Sequence, residues 1–225
     1  MTVFEEARPG VFPACYRDAF FGLRLRLYDT SETVAPDGVV SVEVGDDLEA
    51  AVTLGVGVVT VEIARSWGVS VDELVATATA NVRGLAHERN TVDVGESGSV
   101  EVTVGHRYVS SLLTCLEEDL LGPEGAIVAV PRFDVLLTAP VVGAATFESL
   151  EAMMLYCDDI YDPDDGGISP HVRWLWHGGL HRITDRMSDG AVDIEPAMNV
   201  AAFYFVEALA HLVHPCEECD GTSPS

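Results

Sequence analysis

Strand-type segments in this chain come in adjacent pairs rather than singly between helices, and that arrangement bounds the fold more than any other feature. Thr91 to Val94 and Ser99 to Val104 alternate apolar and polar side chains on either side of Gly95-Glu96-Ser97-Gly98, the pattern of two half-buried strands joined as a hairpin. Ala126 to Val130 and Phe133 to Ala139 repeat it about Pro131-Arg132, and Val172 to Ile183 turns back on itself at Gly178-Gly179. Val39 to Ile63 is a longer strand-rich stretch, alternating through Val39-Val40-Ser41-Val42-Glu43-Val44 and rich in β-branched residues from Val56 onward, with Asp46-Asp47 as a turn. Strands that follow one another without an intervening helix pair antiparallel. The expected class is therefore α+β, a mixed, mainly antiparallel sheet with packed helices, rather than a doubly wound parallel sheet.

Helices occupy the intervals. Ser70 caps a helix running from Val71 to Leu85, with Glu73 completing a capping box. Ser110 to Leu121 places Leu112, Leu113, Leu116, Leu120 and Leu121 at helical spacing and stops at Gly122-Pro123. A third helix spans Thr146 to Tyr156. Cys157 to Pro170 then reads as an acidic loop. Val200 to Val213 is the longest apolar run, interrupted by Glu207 and His211 and short for a bilayer. It reads as a buried C-terminal helix opened by Pro196. The 225 residues, 48% of them hydrophobic, can bury a real core and are too apolar for a disordered chain. The expected organisation is one domain over residues 1–214, with a subdivision near 90 as the alternative, and an exposed acidic tail over 215–225.

Charge restricts the partners. Thirty-seven acidic residues face twelve basic ones, all arginine, for a formal net charge of -25. Such a field repels phosphate backbones and draws in cationic surfaces, so nucleic acid is an unfavourable partner and a basic protein a favourable one. A homodimer through an exposed sheet face is compatible with the pattern. Met1 to Gly10 carries Glu5 and Glu6 and no basic segment followed by an apolar one, so the expected compartment is the cytoplasm, with no membrane association. Five cysteines, odd in number and widely scattered apart from Cys216 and Cys219, fit free thiols better than a disulfide framework.

Val71-Asp72-Glu73-Leu74 leading to Ala80-Asn81-Val82-Arg83, the leucine-rich segment, Ala129-Val130-Pro131-Arg132-Phe133-Asp134-Val135-Leu136 and Ile168-Ser169-Pro170 occur in that order. Together they resemble the YtpQ-like bacterial family of unknown function, over residues 65 to 183. The resemblance implies a cytoplasmic α+β protein and supplies no catalytic residue.

Three constellations are candidates for chemistry. His211, His214, Cys216 and Cys219 fall within nine residues and are zinc-ligand types, two imidazoles on one helical face followed by a Cys-x-x-Cys pair. The two halves stand closer together than in familiar structural zinc sites, and the competing reading is a helix C-terminus followed by an acidic tail. Asp158, Asp159, Asp162, Asp164 and Asp165 supply hard oxygens, but Gly166 and Arg173 stand where a calcium loop needs ligands. That loop reads as a solvated acidic surface for a partner. His171, His177 and His181 fall in the last strand pair with Trp174 and Trp176, His177 and His181 expected to face each other across the turn. This is a mixed aromatic and polar interaction patch. No nucleophile elbow, phosphate loop or dinucleotide fingerprint is present. The expected function is a non-enzymatic interaction, adaptor or immunity-like module; the alternative is a zinc-binding protein or metal-dependent hydrolase.

Overall fold

The computed structural model describes residues 12–116, 120–186, 192–193 and 200–213. It is α+β, with antiparallel sheets and a C-terminal helix. After one helical turn, α1 (Tyr16–Ala19), a strand unassigned from sequence opens the fold: β1 (Leu23–Asp29). Its Leu23-Arg24-Leu25-Arg26-Leu27 alternation puts the three leucines on one face, all buried. β1 pairs along its length with β3 (Leu48–Leu54), which also pairs with β2 (Ser41–Gly45) and β4 (Gly57–Val58).

The strand expected to continue to Ile63 ends at Val58. Thr60 instead caps α2 (Val61–Trp67), its hydroxyl oxygen accepting from the Ile63 amide at 3.3 Å, and Gly68 closes the helix at φ 72°. Cap chemistry at both ends outweighs the β-branched composition between them. The box at Ser70 opens α3 (Val71–Arg83) as the sequence indicates, the Ser70 hydroxyl accepting from the Glu73 amide at 3.1 Å. Leu74, Ala78 and Val82 form its buried stripe.

The second sheet has six antiparallel strands in the order β10-β9-β7-β8-β6-β5: β5 (His87–Val94), β6 (Gly98–Gly105), β7 (Ala126–Arg132), β8 (Val135–Pro140), β9 (Val172–Trp176) and β10 (Gly179–Arg182). The helix expected over Ser110–Leu121 is a 3-10 segment, Val109–Cys115, beyond which Leu116 is extended. Five consecutive residues, Val109 to Leu113, are buried, so burial is not confined to one helical stripe. The Ser110 amide donates to Phe133 O at 3.2 Å, tying the segment to the β7–β8 turn.

The third helix, α4 (Ala145–Ile160), runs past the expected end at Tyr156 and takes Cys157, Asp158 and Asp159 into its last turns. A short pair, β11 (Asp185–Arg186) with β12 (Val192–Asp193), precedes α5 (Val200–Val213). Pro196, expected to open that helix, lies outside the described residues, as does the 215–225 tail.

The two faces of the large sheet are differently covered. Ile127, Leu137, Val172 and Trp174 face α4 and α5, packing with Leu150, Met153, Phe205 and Leu209. Ala126, Val128, Leu136 and Leu180 share a core with Leu25, Leu27, Ala50 and Val52 of the small sheet and with α3. Apolar residues from both sides of position 90 belong to this one core.

At one margin the sheets nearly touch. A Cβ on Gly45 would stand 2.7 Å from Leu180 O, and the Asp46 amide donates to that same oxygen at 3.4 Å. Absence of a side chain at 45 lets the Asp46-Asp47 turn lie against β10.

Candidate binding site: an aromatic pocket beside a buried ion network

Period-two alternation along β9 divides its side chains between two environments. Val172, Trp174 and Trp176 point toward α5, while His171, Arg173 and Leu175 point toward the small sheet. Cross-strand partners obey the same rule: His181 lies opposite Trp174, and Arg182 opposite Arg173.

On the small-sheet side sits a buried ionic cluster. Arg173 is fully buried; its Nε and one terminal nitrogen donate to Asp47 Oδ1 at 3.0 and 2.8 Å. The same terminal nitrogen reaches Asp29 Oδ2 at 3.3 Å and Ser169 Oγ at 2.9 Å, and the other donates to His171 O at 3.1 Å. Arg182 donates to the second oxygen of Asp47 at 3.1 Å. A buried guanidinium persists only when its donors and countercharges are supplied in this way. Burial alone would raise the Asp29 carboxyl, but hydrogen bonds from Ser31 and Ser169 and the Arg173 charge hold it below its usual range. His171 is buried here with Nδ1 lacking a protein partner, and burial, aided by Arg173 and Arg182, pushes its pKa down to about 4.

The other face of β9 and β10 bears a cavity of about 390 Å³. Trp174 is its floor, 1% exposed, with its indole N–H donating to Glu124 O at 2.7 Å. Trp176 stacks on it at 4.7 Å between ring centroids and 14° between planes, and Phe205 meets its edge at 5.4 Å. Val200 and Tyr204 from the first turn and a half of α5 form one wall, and both remain more than half exposed. At the rim, His181 Nδ1 and Asp46 Oδ2 stand 3.6 Å apart. Among the described residues, no arginine lines this cavity.

No family model matches the chain. No significant match was found among curated proteins or solved structures either. Among the described residues no helix is long and apolar enough to cross a membrane.

The structure separates several residues that the sequence groups. His171, His177 and His181 do not form one patch. His171 is buried on the Arg173 face, His181 lies at the pocket rim, and His177 occupies the turn itself. That turn is His177-Gly178, not Gly178-Gly179, with φ of 48° and 78° and Gly179 already paired with Trp176. His177 and His181 therefore do not face each other, because positive φ at two central residues makes a two-residue hairpin loop.

The acidic residues divide likewise. Asp158 and Asp159 are exposed on α4, Asp162 accepts from the Asp164 amide at 2.8 Å, and Asp165 pairs with Arg132 at 3.2 Å. This loop is tied to the β7–β8 turn through an Arg132–Gly167 bridge, near the start of β9, whereas Trp174 and Trp176 project from its later half. His211 is exposed near the end of α5, and His214, Cys216 and Cys219 lie outside the described residues. Among the described residues no three His, Cys, Asp or Glu side chains are grouped as a metal site.

The sequence reading takes Asp46 as a turn residue and Arg173 as a misfit in a calcium loop, and it assigns neither these nor Tyr204 to a site. Arg173 had a usable signal: one arginine inside Val172-Arg173-Trp174-Leu175-Trp176 requires a buried countercharge or an exposed strand face. Asp46 and Tyr204 had none, since each becomes a pocket residue only through packing of distant elements.

Proposed function

We propose that this protein is a non-enzymatic, cytoplasmic interaction module that recognises a basic protein partner through its acidic surface and the face bearing the aromatic pocket. The observation that carries the reading is the pocket itself, an aromatic floor and a mixed aromatic and aliphatic wall with a carboxylate at the lip, on a chain of net charge -25. Aromatic anchors in a partly formed pocket are the usual centres of binding energy, and the summed negative field steers cationic partners toward it. The YtpQ-like kinship remains part of this proposal, its motifs falling on α3, on the β7–β8 hairpin and just before β9. The zinc-binding or hydrolase alternative rests on the sequence of His211, His214, Cys216 and Cys219.

The test compares cross-linked partners of the intact protein with those of Trp176→Ala and Tyr204→Ala, which leave net charge unchanged. A basic partner retained by the first and lost from both variants at moderate salt is the expected result. An identical set of partners from all three proteins sinks the proposal.

A further inference from the structure

We infer that the pocket between β9, β10 and α5 is a receptor for a single arginine side chain of the partner, with Asp46 as countercharge and Trp176 and Tyr204 as stacking surfaces. The inference rests on the interaction reading above and specifies its chemistry. Three observations converge. Aromatic rings make up much of the lining: Trp176 stacked on the buried Trp174, and Tyr204, 53% exposed, with Val200 and Ala201 completing the wall from α5. Indole and phenol rings attract cations through their quadrupole, indole most strongly.

Among the described residues, Asp46 is the acidic side chain that lines the cavity, placed at the lip by the close approach of Gly45 to Leu180. A cation entering over the rings meets a carboxylate at the mouth. Among the described residues that carboxylate meets His181 at 3.6 Å, beyond hydrogen-bond length, and this contact leaves it able to receive a donor.

The lining also selects among cations. Most of the cavity surface is aromatic or aliphatic, so an entering group must shed water. Guanidinium is more weakly hydrated than ammonium, stacks flat on aromatic rings and still presents in-plane N–H donors to a carboxylate. Arg173 illustrates the opposite solution on the other face of the same strand, a guanidinium held wholly by carboxylates, hydroxyl and carbonyl oxygens. The face toward α5 offers rings plus one carboxylate. At about 390 Å³ the cavity takes one long side chain and not a folded segment.

The experiment follows the indole N–H resonances of the ¹⁵N-labelled intact protein, with Trp176 assigned from Trp176→Phe. Three probes are titrated separately: N-acetyl-arginine methylamide, its neutral isostere N-acetyl-citrulline methylamide, and a hexa-arginine peptide. The arginine amide is expected to shift the Trp176 indole saturably, with the citrulline amide about tenfold weaker. Asp46→Asn is expected to weaken arginine binding about fivefold. Asp93→Asn, on the opposite edge strand, makes the same charge change and should leave it unaltered. Equal response to arginine and citrulline, or no saturable response, overturns the assignment. Salt-sensitive binding of hexa-arginine with the Trp176 indole unmoved also overturns it, while leaving the interaction reading in place. Arginine-amide binding together with failure of every basic partner in the cross-linking comparison keeps the receptor and removes the module.

Discussion

Arg173 and Asp47, 126 residues apart in sequence, meet across the two sheets through two hydrogen bonds to one carboxylate oxygen, at 3.0 and 2.8 Å. The contact joins β9 to the turn that also carries Asp46, so the ion network and the pocket share a scaffold: Asp47 points in and Asp46 points to the rim. Removing Arg173 would leave Asp29 and Asp47 buried beside Arg182 alone. Arg173→Met is expected to cost about 3–5 kcal/mol in urea unfolding, and Arg173→Lys most of that, because an ammonium cannot reproduce the fork. A loss below about 1 kcal/mol for both variants would show that the network contributes little.

Acid sensitivity should trace to His171. Above pH 6.5 the imidazole is neutral folded or unfolded; between 6.5 and about 4 only the unfolded chain takes up the proton. Stability therefore falls as pH falls through that window, by about 3 kcal/mol at full effect. His171→Asn should flatten the slope of unfolding free energy between pH 6.5 and 4. Asp29, held below the usual carboxylate range, withdraws its contribution only at lower pH. An unchanged slope in His171→Asn would assign the sensitivity elsewhere.

The β9–β10 turn carries a measurable cost. His177 holds φ 48°, and its ring lies 4.3 Å from that of Trp176. Asparagine tolerates this backbone better and forms the favoured Asn-Gly turn, so His177→Asn should stabilise by about 0.5 kcal/mol. A loss of that size in thermal unfolding would mean that the ring contact outweighs the backbone term.

Glu148 on α4 clamps the β5–β6 turn. Its Oε2 accepts from the Ser97 and Gly98 amides at 2.8 and 2.7 Å, and those backbone bonds are what hold its pKa below the ordinary value. Glu148→Gln should speed amide exchange at Ser97 and Gly98 about tenfold, with little change at β7. Uniform acceleration across the sheet would instead indicate global destabilisation.

Metal content divides the functional readings. Elemental analysis of protein purified without chelators is expected to show no stoichiometric zinc, given the tight spacing of His211, His214, Cys216 and Cys219. One equivalent of zinc that disappears in Cys216→Ser would make the C-terminus a metal site and restore the hydrolase alternative.

Local signals carried much of the fold. The hairpin at Gly95–Gly98, the capped helix from Ser70 and the apolar helix Val200–Val213 were readable because each depends on periodicity and caps within a few residues. Where reading failed, competing local terms were close or the decisive term was distant. Val56–Ile63 had strand composition and helix caps, and the caps prevailed. Ser110–Leu121 had leucine spacing, but burial on several sides and the Ser110–Phe133 bond drew it into a 3-10 segment.

The candidate site divides along the same line. By itself the sequence determined an antiparallel α+β fold, a strongly negative chain, and Trp174 and Trp176 on one face of a strand, because alternation fixes sidedness. Only tertiary structure decided that this face meets the start of α5, that Asp46 stands beside His181, and that Arg173 is held by Asp29 and Asp47. Those relationships join residues more than one hundred positions apart for Asp46–His181 and for both Arg173 pairs. They exist because two sheets bury a shared apolar core, and nothing in the sequence spacing of an aspartate and a histidine encodes which sheet edges will meet.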